Sequence, residues 1–389
     1  MYRMTVRVRF AVQVVVLHIA WALARLRPRR SGDAEWLVGP YEVAALVHRI
    51  ATALPGARSV LLAPHPFYTF PYDYAPSRRA FPGLDTLRAW FLGPYRLGTL
   101  AAHARGVIYV GGEGFLNVAH DQREFEFRFL SKRGVRIVCY FTGNDIRSPR
   151  LMRELEAETG RPNIATYLGV VNPVFTSPGY DDAKRRLAES ANRYADAVFN
   201  AAIDQLSYLA PGAHPFLYFH PDDEIVESLD KFDDVARPVV LHAPSSPALK
   251  GTQLVRAAVA RLRREGYDFE YVELSGVSHD RVREALERAH IVLNEFYSYV
   301  PGVFGVEGLA AGCAVVTSAD ERLDPELPKG SNEAWVPTEH FAVVDSLRAL
   351  LDEPDRARAL AERGRQWVLD NASFTASRAR LTAVLDALG

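Results

Sequence analysis

Three loops in the second half of the chain combine a cation, backbone N–H groups and a carboxylate at spacings that suit a diphosphate and a ribose. The first runs from His242 to Thr252, after the apolar stretch Pro238–His242 and before a helical one. It offers the hydroxyls of Ser245 and Ser246, the ammonium of Lys250, and Gly251, which lets a ligand come close to the backbone. The second is the turn at Pro301–Gly302, leading into a helix at Val303 and Phe304. Unpaired N–H groups and the dipole of that helix favour an anion. Glu307 follows about one turn later, where a carboxylate can accept from vicinal hydroxyls. The third loop, Ser275 to His279, places backbone groups around Val277 where the edge of a base could meet them. Plain alternatives stand beside these readings: Lys250 as an exposed side chain at a helix start, and Glu307 as an exposed helical carboxylate.

The first half offers groups of another kind. After the apolar run Val135–Phe141 come Thr142, Gly143, Asn144 and Asp145, with Arg147 just beyond. Such side chains could hold an acceptor hydroxyl, although an Asp in that position equally well caps the next helix. His65 sits between two prolines after another apolar run. The aromatic stretch Phe67–Tyr74, with Phe81 and Trp90, suits either a surface for sugar rings or lipid, or buried packing.

Elements that could position these groups are legible as alternating apolar runs and helical periodicities. Strands are expected at 35–38, 59–63, 106–110, 135–141 and 197–199, with a helix over 42–54 between the first two. Near-continuous β-branched runs are what parallel strands covered on both faces look like. Residues 34–212 therefore read as one doubly wound α/β unit. A Pro- and Asp-rich connector follows, and alternation resumes at 238 to give a second Rossmann-like unit over 213–370. Residues 371–389 read as a final helix that could return to the first unit.

The 389 residues, 48% of them hydrophobic and 24% charged, exclude a mainly disordered chain and support two cores. A net charge of -1 gives no global basic footprint for nucleic acid. Two cysteines, Cys139 and Cys313, exclude a disulfide framework and suit a cytoplasmic protein. Neither half carries the G-x-G-x-x-G of a dinucleotide site, and no D-x-D pair marks a metal; Asp222-Asp223 falls in the connector. Segment 1–33 stands apart. Its apolar run, residues 10–26, is flanked by arginines on both sides and reads as a helix on the inner face of the plasma membrane, as a helix packed on the protein, or as a leader.

These loops resemble those of GT-B glycosyltransferases, and most closely the retaining group called glycosyltransferase family 4. The resemblance spans about residues 34–389 and is most specific over 239–318. It implies two Rossmann-like domains with the active site between them, and a nucleotide-sugar donor, UDP- or GDP-linked, with no metal and no further cofactor. It further implies transfer with retention to a glycan or lipid-linked acceptor in polysaccharide synthesis. Lys250-Gly251 matches the pair that meets the donor diphosphate, with Ser245 and Ser246 beside it. Gly302, Val303 and Phe304 match the turn at the diphosphate, and Glu307 the second Glu of the E-x7-E motif, which holds the ribose. Val277 matches a base-contacting segment, and Gly39-Pro40 the Gly-rich loop under the phosphates. Asp145 matches the end of the H-G-x-D pattern, which puts Asn144, Asp145, Arg147 and His65 on the acceptor side. On this reading Asp145, Lys250 and Glu307 are the catalytic residues. The chain departs from the pattern at Tyr299, where the first Glu of the motif would stand and meet the sugar, at Ser245 where an Arg is usual, and at Thr142 in place of the His. Those departures keep open a second reading, a silent GT-B protein acting as a nucleotide- or glycan-binding subunit.

Overall fold

A computed structural model describes the chain except residues 1, 31, 66–67, 77–83, 117–120 and 234. Phe67 and Phe81 of the aromatic stretch lie outside the described residues. The first unit contains α1 (Tyr2–Arg25), β1 (Trp36–Pro40), α2 (Leu46–Ala53), β2 (Ala57–Ser59), α3 (Leu84–Ala101), β3 (Gly106–Val110) and α4 (Glu124–Ser131). It continues with β4 (Arg136–Tyr140), α5 (Pro149–Thr159), α6 (Ile164–Val171), α7 (Pro178–Tyr194), β5 (Ala197–Asn200) and β6 (His214–Pro215). The second holds β7 (Val239–His242), α8 (Pro247–Lys250), α9 (Thr252–Arg264), β8 (Glu270–Glu273), α10 (His279–Arg288), β9 (Ile291–Leu293) and α11 (Gly302–Ala310). It ends with β10 (Ala314–Thr317), α12 (Ser331–Ala334), β11 (Val336–Pro337), α13 (Val343–Asp352), α14 (Pro354–Asn371) and α15 (Phe374–Ala387).

Both sheets are parallel throughout. Their orders are β2-β1-β3-β4-β5-β6 and β11-β10-β9-β7-β8. Each therefore has a point where strand order reverses, between β1 and β3 in the first and between β7 and β9 in the second. Ligands of open α/β sheets bind outside the strand ends at such a point. The central strands β3 and β4 are buried almost completely, as their GVIYV and RIVCY sequences require, and apolar clusters cover both faces of each sheet.

Several local expectations shift. The strand expected at 59–63 is Ala57–Ser59, with Val60 in an isolated bridge to Tyr74. The helix expected from 42 starts at Leu46, because Glu42 folds back on its end as described below. Strand β6 pairs with β5, so the first sheet runs past 212 to Pro215. The final helix expected over 371–389 is α15, which starts at Phe374 where the Ser373 hydroxyl accepts from Ala376 N. Leu381 and Leu385 of α15 lie in the core of the first unit. Helix α3 was hidden in the sequence by Gly93, Pro94 and Gly98, residues that oppose a helix assignment.

The two units meet in an apolar cluster that joins Met152, Ile164 and Leu168 to Tyr297 and Tyr299. Arg161 and Glu339 add an ion pair across it at 2.7 Å.

Candidate active site

A cavity of about 490 Å3 lies between the units, walled by loops that leave the carboxyl ends of β1, β4, β5, β7 and β9. At the β7–β9 reversal two of these loops bring Lys250 and Glu295 together. The Lys250 ammonium donates to the Glu295 carboxylate, a group 1% exposed. Burial pushes the Glu295 carboxyl above its ordinary range, and the ammonium pulls it back toward the charged form. An ammonium has three donors, so this pairing leaves Lys250 able to reach a ligand from a fixed position.

Below that pair begins α11. Gly302 has φ +63, which favours glycine, and a Cβ there would stand 2.6 Å from Glu295 Oε1, so any larger residue must displace the carboxylate or the helix end. Gly302, Val303 and Phe304 line the cavity with the helix start, as do Ser245 and Ser246 opposite. Glu307, one turn on, also faces it and accepts from His279 Nε2 at 2.8 Å. That hydrogen bond raises the imidazole pKa. The loop carrying Lys250 is held closed by His242, which is fully buried. Its Nδ1 lies 2.7 Å from Leu293 O and its Nε2 2.9 Å from the Thr252 hydroxyl. A carbonyl can only accept, so Nδ1 carries the proton and Nε2 accepts from Thr252. Burial lowers the His242 pKa and keeps the ring neutral.

On the facing wall Thr142, Gly143, Asn144 and Arg147 reach the cavity. Arg147 is buried and donates through Nε to Asp204 O and through Nη2 to Asp204 Oδ2, both at 2.6 Å, and through Nη1 to Asn144 Oδ1. The other oxygen of Asp204 accepts from Ser298 Oγ at 2.7 Å and Tyr299 N at 2.9 Å. One carboxylate thus ties the first unit's arginine to the second unit's backbone beside the cavity.

Other expected residues lie elsewhere. The Asp145 carboxylate is taken up by its own loop, accepting from Thr142 N, Gly143 N and Ile146 N at 2.9, 2.7 and 3.1 Å, so it shapes the turn and is not among the residues that line the cavity. Gly39 and Pro40 are inside β1, where a Cβ on Gly39 would stand 2.1 Å from Val60 O. In the loop that follows, Ala44 is the residue that meets the cavity. The end of α2 is already filled by a protein anion: Glu42 accepts from Val43 N, Val47 N and His48 N, and from the Tyr72 hydroxyl. Tyr299 is 6% exposed and its ring belongs to the inter-unit cluster. Val277 is an exposed loop residue outside the cavity wall. His65 accepts from Tyr68 N at 3.2 Å, and it is Tyr68 that reaches the cavity.

Sequence reading missed Glu295, Asp204 and Tyr68. Glu295 had one signal, an acid two residues beyond a buried strand (IVLNE), the place where α/β sites keep their polar groups.

A second cavity of about 680 Å3 adjoins the first, sharing Tyr68 and His279. His48 stacks on Phe70 there with ring centres 4.3 Å apart, and Phe70 stacks on Tyr68 at 5.6 Å.

Residues 252–385, which include α9, α10 and α11, match the family model described as Glycosyl transferase-like. The sucrose-phosphate synthase of Thermosynechococcus elongatus aligns over 92% of this chain and 99% of its own, with a TM-score of 0.58 and 13% identity. The fold is GT-B. Two further GT-B structures align over 90% of this chain and 99% of theirs. They are HepE of Anabaena, solved with UDP-glucose, at TM-score 0.54 and 12% identity, and WaaG, a glycosyltransferase involved in lipopolysaccharide biosynthesis, at 0.53 and 13%. No curated protein sequence matches the chain. In GT-B terms the Lys250, Glu295 and Glu307 wall belongs to the second Rossmann-like unit, and the Asn144 and Arg147 wall to the first.

Proposed function

We propose that this protein is a retaining glycosyltransferase of the family 4 type, moving a sugar from a UDP- or GDP-linked donor to a hydroxyl of a glycan or lipid-linked acceptor in polysaccharide or glycolipid synthesis. The observation that carries the reading is one wall of the cleft: Lys250 fixed on buried Glu295, the N-terminus of α11 at Gly302, Val303 and Phe304 beside it, and Glu307 one turn on.

The diphosphate sits at the α11 N–H groups with Lys250 and the hydroxyls of Ser245 and Ser246 around it. These donors meet charge as it builds on the leaving diphosphate oxygen. Glu307 accepts from the ribose hydroxyls, and the base extends toward the adjoining cavity, where Tyr68, Phe70 and His48 offer aromatic faces. The sugar then projects toward Asn144 and Arg147. The anomeric carbon–oxygen bond to the diphosphate breaks, a bond to the acceptor oxygen forms, and the acceptor's proton leaves to the departing phosphate. Glu295 stands where a carboxylate can hold a sugar hydroxyl, a part that the Tyr299 position does not supply.

UDP-glucose, present in the Anabaena neighbour, is the first donor to try. Calorimetry with UDP, GDP and their sugars, followed by turnover of the full chain, tests the reading. Lys250→Ala should abolish measurable transfer while the protein stays folded; unchanged turnover rejects the assignment. The departures at Tyr299 and Thr142 favour a second reading, a silent nucleotide- or glycan-binding subunit, which requires nucleotide affinity without any donor cleavage.

A further inference from the structure

Helix α1 has two unlike faces. Leu17, Ala20 and Ala24 are buried against the first unit. At Gly98 of α3 the helices come so close that a Cβ would stand 2.7 Å from Ala20 Cβ. Arg9 and Gln13 donate to Ala89 O at 2.7 and 3.2 Å, and Arg25 to Ala102 O at 3.1 Å, which fixes α1 along α3. The opposite face carries Val8, Val15, Ile19 and Leu23, continued by Leu26 in the turn just past the helix end, between 51% and 82% exposed. Their spacing of seven, four, four and three puts them on one stripe, about 27 Å long at 1.5 Å per residue. Phe91 and Tyr95 of α3, also exposed, share the α3 face that bears Gly98 and extend this apolar surface along the seam.

Charge picks out the occupant. Residues 1–33 contain seven arginines (3, 7, 9, 25, 27, 29 and 30) against one acid, Asp33, which pairs with Arg27 at 2.7 Å, in a chain whose net charge is -1. Arg7 lies at one end of the stripe and Arg29 and Arg30 at the other, all exposed. An apolar stripe this long on a water-facing surface marks an interaction site, and cations at both ends match anionic lipid headgroups.

We propose that the α1–α3 face docks on an anionic bilayer surface, with α1 lying in the plane of the headgroups. A crossing helix would have to leave α3 and strip Leu17 from the core that it fills. Docked in the plane, α1 keeps that contact and immerses only the exposed stripe. Nothing here depends on the donor site, so the two readings stand or fall separately.

The test is flotation of the full chain with vesicles of phosphatidylcholine alone and of phosphatidylcholine with phosphatidylglycerol. Binding to the anionic vesicles is expected, weakening with salt. The pair Ile19→Glu and Leu23→Glu, both at exposed positions, should reduce it at least tenfold without changing the melting temperature. Arg29→Glu with Arg30→Glu should reduce it about fivefold per residue. The proposal is overturned if the full chain does not float, or if the Ile19/Leu23 variant floats like the parent. Resistance to alkaline extraction would assign a crossing helix instead and overturn it too. A lipid-free dimer that this variant dissolves would give the face to a second copy.

Discussion

Lys250 and Glu295 are 45 residues apart in sequence, yet the ammonium of one rests on the buried carboxylate of the other at the reversal point of the second sheet. Removing either alone leaves the partner poorly matched. Lys250→Ala strands a carboxylate that is 1% exposed, at a cost of about 1–3 kcal/mol. Adding Glu295→Gln removes the charge and should restore part of that stability. Donor binding should stay lost, because the cation is still absent. Urea unfolding of the two single variants and the double, with calorimetry of nucleotide binding, reads both effects; additive stability losses would show that the pair is not coupled.

Gly302 makes a second case. Any side chain there must fit 2.6 Å from Glu295 Oε1 on a backbone at φ +63. Gly302→Ala should therefore displace the carboxylate or the start of α11, with a strain of about 1–2 kcal/mol. Because α11 offers the N–H groups proposed to meet the diphosphate, nucleotide affinity should fall at least tenfold while the fold survives. Affinity equal to that of the parent chain would separate the helix start from the donor site.

How far could the sequence be read? Parallel strands buried on both faces, such as β3 and β4, announce themselves as apolar runs, and the loops after them are where polar groups gather. Lys250, Gly302 and Glu307 could be read as residues of the cavity wall for that reason. Glu295 was not, because its partnership with Lys250 depends on β7 and β9 lying side by side, which is a matter of strand order and not of spacing. Asp145 and Gly39-Pro40 fall outside the cavity wall for a local reason. A short carboxylate after a strand can serve its own loop, as Asp145 does with three backbone N–H groups, or can fill a helix end, as Glu42 does at α2. Residue type and position alone do not distinguish such uses from ligand contact.

Asp204 holds the two units in register. One oxygen serves Arg147 and the other serves Ser298 and Tyr299 across the cleft. Asp204→Asn keeps the size and removes the charge, leaving the Arg147 guanidinium buried without a counter-ion. A loss of about 3–5 kcal/mol is expected. The cleft should also open, seen as a larger radius of gyration in small-angle scattering, and KM for the donor should rise more than kcat falls. A variant with parental stability and dimensions would show that the apolar cluster around Tyr299 holds the units together without this carboxylate.

His279 and Glu307 give the site a pH dependence whose sign can be worked out. The hydrogen bond from Nε2 to Glu307 Oε1 raises the imidazole above its ordinary pKa of about 6.5. A base with a raised folded pKa contributes stability in full below its unfolded value and loses it as pH rises through the folded value. His279 is partly exposed, so the contribution is limited to about a few tenths of a kcal/mol. The stability gap between the parent chain and His279→Gln should thus be widest below about pH 6 and should close by about pH 9. Urea midpoints measured across that range decide it. A gap that widens as pH rises would mean that the neutral ring is the form the folded protein prefers, and the Glu307 pairing would have to be abandoned.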